Sequence, residues 1–363
     1  MSYLDYQATT PLASEALAAM LPWLERQHAN PHSPHREGRA ARAAVEVARD
    51  QVAKLLPQGG RVAYTSGATE ALNWAIQGTT GPIVTLATEH AAVLDTVAAE
   101  ARKGRPVTIL PVGSGGRVDL DAAARVIQPG TGLVAAMLVN NEIGVIQPIA
   151  ELAALAHAAG ARFLCDAVQG YGRLPVPEAC DLIAISAHKI HGPKGIGALW
   201  VRDGVALAPL LHGGGQEAPG RSGTLSPALC AGFGAAAKLA AERMAVDAAH
   251  VAALADTVLA TLGPDWIVNG SSEHRHRGNL NLRRAGLDVA RLMSDLRDIA
   301  FSAGSACASG SGRPSHVLKA IGLSDAEARS SIRIGFGRMT NEEELVSAMT
   351  RIDAAARGQK VAA

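Results

Sequence analysis

The 363-residue sequence has few aromatic side chains and almost no net charge. Aromatic residues make up 3% of it, which argues against the base-stacking platforms that bind single-stranded nucleic acid. The formal net charge is +1 at pH 7, so the balance of charges does not predict a polyanionic partner. We therefore expect no nucleic-acid partner.

Long apolar runs and targeting signals are also missing. No stretch approaches 18 uninterrupted apolar residues, and the first residues, MSYLD, lack a basic region followed by an apolar one. The hydrophobic fraction is 48% and the charged fraction is 18%, which together are typical of a folded globular chain. We expect a cytoplasmic protein with no membrane association.

Only four cysteines are present, and none forms a Cys-x-x-Cys pair, so neither a disulfide framework nor a structural zinc site is predicted. Cys165, Cys180 and Cys230 lie in segments that predict small buried side chains. Cys307 differs, because residues 302–312 (SAGSACASGSG) consist otherwise of Gly, Ala and Ser. That stretch is compatible with an incidental cysteine on a surface loop or with a nucleophile carried on a glycine-rich arm.

Histidines do not change the expectation that no metal is bound. His28, His32 and His35 have ligand-like spacing, but Pro31 and Pro34 prevent a helix that would align them.

Short apolar runs alternate with Ala- and Leu-rich stretches of helical spacing through the first two thirds of the chain. This alternation predicts an α/β fold, with a mostly parallel sheet covered by helices on both faces. We expect a large domain at 12–247 and a smaller α+β domain at 1–11 and 248–363. The predicted strands are 61–65, 83–87, 107–110, 133–139, 162–165, 182–186 and 197–201.

Polar clusters follow five of these runs. Because ligands bind at the carboxyl ends of parallel strands, the clusters predict one crevice. The first cluster precedes a predicted helix, whose backbone N–H groups would suit a phosphate. The clusters are 66–70 (SGATE), 88–90 (TEH), 140–142 (NNE), 166–169 (DAVQ) and 186–189 (SAHK).

This set of side chains points to pyridoxal phosphate. The sequence has neither a Gly-x-Gly-x-x-Gly fingerprint after a strand nor a Gly-x-x-x-x-Gly-Lys-Ser/Thr loop, which argues against dinucleotides and nucleoside triphosphates. Pyridoxal phosphate needs a lysine for its aldehyde and an acid for its pyridine nitrogen. Lys189 and Asp166 meet these needs, and His90 could lie against the ring.

The ordered set of motifs resembles the cysteine desulfurases of the NifS/IscS type, in the class V aminotransferase superfamily. The resemblance runs through nearly the whole chain. Its motifs are 3–11 (YLDYQATTP), 30–35 (NPHSPH), 65–70 (TSGATE), 89–90 (EH), 140–144 (NNEIG), 166–169 (DAVQ), 186–195 (SAHKIHGPKG), 221–224 (RSGT), 304–307 (GSAC) and 331–333 (SIR).

The resemblance implies a role for each matching residue. The implied catalytic residues are Cys307, Lys189 and His90. The implied cofactor-binding residues are Ala68, Thr69, His90, Asn141, Asp166, Gln169, Ser186, His188, Lys189 and Thr224. Thr224 would reach in from the partner subunit of a homodimer. The implied substrate-binding residues are Arg333, Asn141 and Asn30.

The family resemblance also implies a fold and a reaction. The fold would be that of a fold-type I transferase dependent on pyridoxal phosphate, with a seven-stranded sheet in the large domain. The reaction would convert L-cysteine to L-alanine and leave a persulfide on Cys307, which then passes sulfur to an iron–sulfur scaffold or a thiolation enzyme. The distance from Cys307 to the next predicted helix, near His316, resembles the long-loop branch that serves such acceptors.

Other functions stay open from the sequence alone. A selenocysteine lyase or another class V enzyme would use the same cofactor. A module that only receives sulfur would not need Lys189, Asp166 and His90. A cysteine protease built from Cys307 and His316 lacks an evident orienting residue.

Overall fold

The computed structural model describes residues 1–218, 220–304 and 314–359. The strands within these ranges are β1 (Ser2–Tyr3), β2 (Gly60–Thr65), β3 (Ile83–Leu86), β4 (Val107–Leu110), β5 (Leu133–Met137), β6 (Arg162–Asp166), β7 (Leu182–Ser186), β8 (Gly197–Arg202), β9 (Ile267–Val268), β10 (Asn279–Arg283), β11 (Ile299–Ala300), β12 (Ser302–Ala303) and β13 (Ser331–Gly335).

The helices of the same ranges are α1 (Ser14–Glu25), α2 (Arg36–Ala53), α3 (Ala68–Gln77), α4 (Ala91–Arg102), α5 (Leu120–Val126), α6 (Ile149–Ala158), α7 (Pro227–Thr261), α8 (Val289–Asp295), α9 (His316–Ala320), α10 (Asp325–Arg329) and α11 (Glu342–Gly358). A single 3₁₀ turn, Ala187–Lys189, follows β7 in the described chain.

The central sheet confirms the predicted α/β class. Its seven strands lie in the order β2-β8-β7-β6-β5-β3-β4. β8 runs antiparallel to its neighbours β2 and β7, and the other adjacent strands are parallel. All seven apolar runs of the sequence form strands of this sheet.

The sheet is covered on both faces, which explains why its inner strands are apolar throughout. Every residue of β5 is buried. Because successive side chains of a strand point to opposite faces, Val134 and Ala136 join one apolar cluster, while Leu133 and Ala135 join another. Helices α2 and α7 contribute to the first cluster, and α3 and α4 contribute to the second.

A second core lies outside the large sheet. The antiparallel sheet β12-β13-β10-β9 and helix α11 enclose it, together with Leu4 from the N-terminal segment. From the sequence we expect a division into domains 12–247 and 1–11 with 248–363. The boundary residues of that division stay a prediction.

Helix α7 connects the two cores. Ser226 caps its N-terminus by accepting from the Leu229 N–H, and Pro227 occupies its first turn. Its first half packs on α1 and α2, and its second half buries Val251 and Val258 in the second core. Its length and composition alone would also suit a membrane span. Its buried residues instead belong to two separate cores of the fold.

A buried ion pair fixes the segment that follows β8 to helix α2. Both Arg49 guanidinium amino groups donate to the Glu217 carboxylate, each at 2.7 Å, and Arg49 also donates to the Val62 carbonyl. Glu217 accepts from the Tyr64 N–H as well. Breaking a buried pair leaves one charge without compensation and is strongly destabilising.

We expect Glu217→Gln to lower the free energy of unfolding by about 3 kcal/mol, because Arg49 then loses its buried counter-charge and keeps only the half-exposed Glu46, at 3.1 Å. The double variant Arg49→Met with Glu217→Gln should recover a large part of this loss. Chemical denaturation measures both effects. Asp298→Asn, which removes the exposed pair with Arg351, is the control and should change stability little. Equal stability of Glu217→Gln and the wild type would contradict the assignment.

Candidate active site

A cavity of about 590 Å³ lies where the parallel strands end. Polar residues that follow β2, β3, β5, β6 and β7 meet there, as expected for the carboxyl edge of a parallel sheet. The N-terminal residues Gln7, Ala8 and Thr9 and the β13 residue Arg333 complete the wall.

The cavity brings together most residues singled out from the sequence. Those that line it are Ala68, Thr69, His90, Asn141, Asp166, Gln169, Ser186, His188, Lys189 and Arg333. Asn30 and Thr224 do not line it, and Thr224 is exposed. Cys307 lies outside the described residues. The fold establishes where the lining residues lie, while the role of each stays a prediction.

The start of helix α3 forms one end of the cavity. Gly67 precedes the helix, and no side chain of the described residues caps its N-terminus, so the first N–H groups are open to a ligand. Strand β8 passes close by, and a Cβ atom on Gly197 would lie 2.8 Å from the Gly67 Cα. Ala68 and Thr69 face the cavity, so this helix end can hold an anion such as a phosphate.

His90 immediately precedes helix α4 and caps it. Its Nδ1 accepts from the Ala92 N–H at 3.0 Å, which places the proton of the neutral ring on Nε2. Burial lowers the pKa of His90, while the nearby Asp166 carboxylate opposes that effect. The ring is therefore held in a defined orientation as a neutral group at the cavity wall.

Asp166 is a buried carboxylate at the end of β6. Its Oδ1 accepts from the Val168 N–H at 3.0 Å. Burial raises its pKa, and the Val168 hydrogen bond, His90 and Lys189 lower it to a smaller extent. A buried carboxylate in this state gains most from a cationic partner inside the cavity.

Lys189 ends the 3₁₀ turn after β7 and points its amine toward the N-terminal segment. Nζ donates to the main-chain oxygens of Gln7 at 2.5 Å and Ala8 at 2.8 Å. Burial is the main cause that lowers its pKa to about 8, with a smaller contribution from the cations Arg173 and Arg333. The amine is thus closer to neutrality at physiological pH than an exposed lysine, as a nucleophilic amine requires.

The turn that carries Lys189 is fixed by the N-terminal segment. His191 has φ +67°, which is uncommon for a residue with a side chain. Its N–H donates to Thr10 Oγ1 at 2.7 Å, and its Nδ1 lies 2.8 Å from the Pro11 oxygen. Such a conformation persists where surrounding contacts impose it, and it often lies at functional sites.

Arg333 presents a buried guanidinium to the cavity. Nη2 donates to Asp5 Oδ1 at 2.7 Å, and Nη1 donates to the Asn141 carbonyl at 3.1 Å. Nε is buried and has no hydrogen-bond partner among the described residues. Arg333 thus places a fixed cation at the wall of the cavity, where a bound carboxylate would meet it.

Comparison with known proteins places this site in a family. The aminotransferase class-V family model matches residues 2–347. "Cysteine desulfurase IscS" of Rickettsia bellii is 43% identical over 360 residues, which are 94% of this chain and 88% of the relative. "Cysteine desulfurase, mitochondrial" of Saccharomyces cerevisiae is 45% identical over 359 residues, which are 94% of this chain and 72% of the relative. The chain belongs to the cysteine desulfurases of the class-V aminotransferase family.

Solved structures confirm the fold of this family. A "NIFS-LIKE PROTEIN" is 30% identical with a TM-score of 0.91, over 99% of this chain and 100% of that one. "SspA in complex with cysteine" is 34% identical with a TM-score of 0.83, over 93% of this chain and 99% of that one. The predicted family and its fold-type I architecture are therefore both confirmed.

Two features of this desulfurase site were not identified from the sequence. Gln7 and Ala8 bind the Lys189 amine through main-chain oxygens, which no side-chain pattern can reveal. His316, a candidate protease histidine by sequence, instead lies with Nε2 2.9 Å from the Glu89 main-chain oxygen. That contact fixes His316 against the residue that precedes His90.

We expect the Lys189 amine of the cofactor-free protein to titrate near pH 8, because burial and two nearby cations disfavour its charged form. The measurement is the rate of acylation by dilute acetic anhydride between pH 6 and pH 11, read by mass spectrometry of the Lys189 peptide. The exposed Lys194 provides an internal reference. A Lys189 midpoint above pH 10 would contradict the account of the site.

Proposed function

We propose that this cavity binds pyridoxal phosphate and L-cysteine and that the protein transfers the sulfur of cysteine to an acceptor. The observation that carries the proposal is the placement of Lys189 and Asp166, a largely buried amine and a buried carboxylate, in one cavity beside an uncapped helix N-terminus. The membership of the cysteine desulfurases supports the same conclusion.

The residues present fit this cofactor. When bound, pyridoxal phosphate supplies an aldehyde for the lysine amine and a ring that accepts electrons. Lys189 would hold the aldehyde carbon, Asp166 the pyridine nitrogen, Gln169 the ring oxygen and His90 the ring face. The phosphate would be held by the amides of Ala68 and Thr69, with the side chains of Ser186 and His188.

Substrate binding would use Arg333. Its guanidinium is fixed by Asp5 and by the Asn141 carbonyl and lines the cavity, where it would pair with the carboxylate of cysteine. Asn141 and Asn30 are proposed to assist. The arrangement would orient the amino acid before any bond changes, which is a large part of what a binding site contributes to rate.

Proton transfer would use Lys189 and His90. The lowered pKa of Lys189, about 8, allows its amine to take up and release protons near neutral pH. The lowered pKa of His90 keeps its ring neutral, with the proton on Nε2, so it can donate or receive through that atom.

Cys307 would receive the sulfur. Its thiolate forms an S–S bond with the sulfur of the substrate while the carbon–sulfur bond breaks, and the electron pair of that bond stays with the carbon. Protonation of the carbon gives alanine, and Cys307 carries a persulfide. The support for this role is the GSAC motif at 304–307 and the family to which the chain belongs.

Partners follow from the same proposal. A homodimer would let Thr224 bind the phosphate in the partner's site, and Thr224 is exposed in one protomer as such a role requires. The neighbouring Arg221 is paired with Glu70 on helix α3, at 2.8 Å. We propose a cytoplasmic sulfur acceptor, either an iron–sulfur scaffold or a thiolation enzyme.

We expect borohydride reduction of the protein with pyridoxal phosphate to leave the cofactor covalently attached to Lys189. The reason is that Lys189 is the largely buried lysine of the cavity, whereas Lys194 at its mouth is exposed. Peptide mass spectrometry locates the label. Attachment at Lys194 in the wild type, or undiminished labelling in Lys189→Ala, would show that another lysine holds the cofactor.

We expect Cys307→Ala to bind pyridoxal phosphate normally and to release sulfide at least about a hundredfold more slowly than the wild type, because the nucleophile is gone. Cysteine treatment of the wild type should place a persulfide on Cys307, detected by mass spectrometry. Cys180→Ala is the matched control, since Cys180 is buried in the large core and should affect stability more than turnover. Near-normal sulfide release by Cys307→Ala would refute the assignment.

A further inference from the structure

Arg173 is a largely buried cation that contacts the main chain of Lys189. It lies four residues after Gln169, beyond the end of β6. Nη1 donates to Gln169 Oε1 at 2.8 Å, and Nη2 donates to the Lys189 carbonyl at 2.7 Å. The Arg173 side chain therefore joins the segment of Gln169, the proposed ligand of the ring oxygen, to the segment of Lys189, the proposed ligand of the aldehyde carbon.

This charge has no carboxylate partner within the described ranges of the chain. The hydrogen bonds of Arg173 go to neutral oxygens of Gln169 and Lys189. Burial and the nearby Arg338 lower its pKa to about 10. Arg338 is itself paired with Asp247 at 2.6 Å. A cation buried in this way costs folding free energy that hydrogen bonds to neutral oxygens offset only in part.

A second cavity adjoins the Arg173 guanidinium and is separate from the large one. It has a volume of about 50 Å³ and is lined by residues that include Arg173, Lys189, His191 and His276. Burial lowers the pKa of His191 to about 4 and that of His276 to about 3, so both rings are neutral at pH 7. Arg173 therefore places a positive charge in the small cavity that Lys189 also lines.

We propose that Arg173 is a positioning residue with two roles. It holds the Gln169 side chain against the Lys189 main chain, a contact called the clamp below, and it keeps a positive charge near the Lys189 amine. The proposal rests on the function proposed above, because it concerns the residues that would hold the cofactor and bind its aldehyde.

The clamp determines which end of the Gln169 amide faces the cavity. A guanidinium has donors only, so it must meet the amide oxygen of Gln169. The amide nitrogen then points elsewhere, and it donates to the Gln7 oxygen at 2.9 Å. Its second N–H remains for the cavity that Gln169 lines, where a ring oxygen would need a donor.

The positive charge of Arg173 repels the protonated form of the Lys189 amine. The groups that bear on the Lys189 amine are the cations Arg173 and Arg333, the carboxylates Asp166 and Asp5, and the neighbouring imidazoles of His90 and His188. The cations favour the neutral amine and the carboxylates favour the charged one. Loss of Arg173 should therefore shift the balance toward the protonated amine, which cannot attack an aldehyde.

The test is acylation of the cofactor-free protein over a range of pH, with wild type, Arg173→Gln and Arg173→Lys. Arg173→Gln should raise the Lys189 midpoint by about half to one pH unit and slow labelling at pH 7 by about threefold to tenfold. Arg173→Lys keeps the charge and should retain the wild-type midpoint. An unchanged midpoint in Arg173→Gln would overturn the electrostatic role.

Arg173→Lys tests the clamp separately, because one ammonium cannot reproduce the planar fork that reaches both Gln169 and Lys189. Its Kd for pyridoxal phosphate, from spectral titration, should rise at least about threefold. A wild-type Kd in Arg173→Lys would refute the clamping role of Arg173. This measurement also tests the proposal if Arg173→Gln fails to fold.

Arg275→Gln is the matched control. Arg275 is also buried and also donates to main-chain oxygens, those of Ile143 and Asn269, but it touches neither Gln169 nor Lys189. It should lose stability without a shift of the Lys189 midpoint; an equal shift in this control would show that Arg173 acts only through general stability. Because the acylation needs no cofactor, its result is independent of whether the protein is a desulfurase.

Discussion

The hydrogen bonds from the Lys189 amine to the main-chain oxygens of Gln7 and Ala8 connect the chemistry of the site to the fold. These acceptors are neutral, so they satisfy the amine without the strong preference for its charged form that a paired carboxylate would impose. They belong to a segment that is anchored in the second core through Leu4. The large sheet positions the lysine, and the N-terminal segment determines its surroundings.

The cavity wall contains charged side chains that are buried from water. Asp166 and Arg333 are both removed from water, and each is only partly compensated by protein groups. Such an arrangement contributes little to stability and favours a ligand that brings the missing charges. A phosphate, a protonated ring nitrogen and an amino-acid carboxylate would each find a complementary group in this cavity.

Much of this architecture could be predicted from the sequence because parallel strands follow a simple rule. Buried strands read as short apolar runs, and the polar residues after them must meet at one edge. The clusters around His90, Asp166 and Lys189 met in that way. Their residue types led to the prediction of pyridoxal phosphate, a cofactor that the family also implies. The remaining contacts had no local signal. Gln7 and Ala8 act through main-chain oxygens across more than 180 residues, and no sequence pattern around Arg173 indicates its contacts with Gln169 and Lys189. Such contacts depend on how the chain folds back on itself, which periodicity and motif spacing do not encode.

The central claim is that this cavity removes sulfur from cysteine by lysine-based chemistry. The most direct measurement is the yield of alanine and sulfide from L-cysteine, with pyridoxal phosphate and a thiol reductant and without any keto acid. The account predicts alanine and sulfide in equal amounts, and neither product from Lys189→Ala. Formation of pyruvate instead of alanine, or product formation that requires a keto acid, would contradict it.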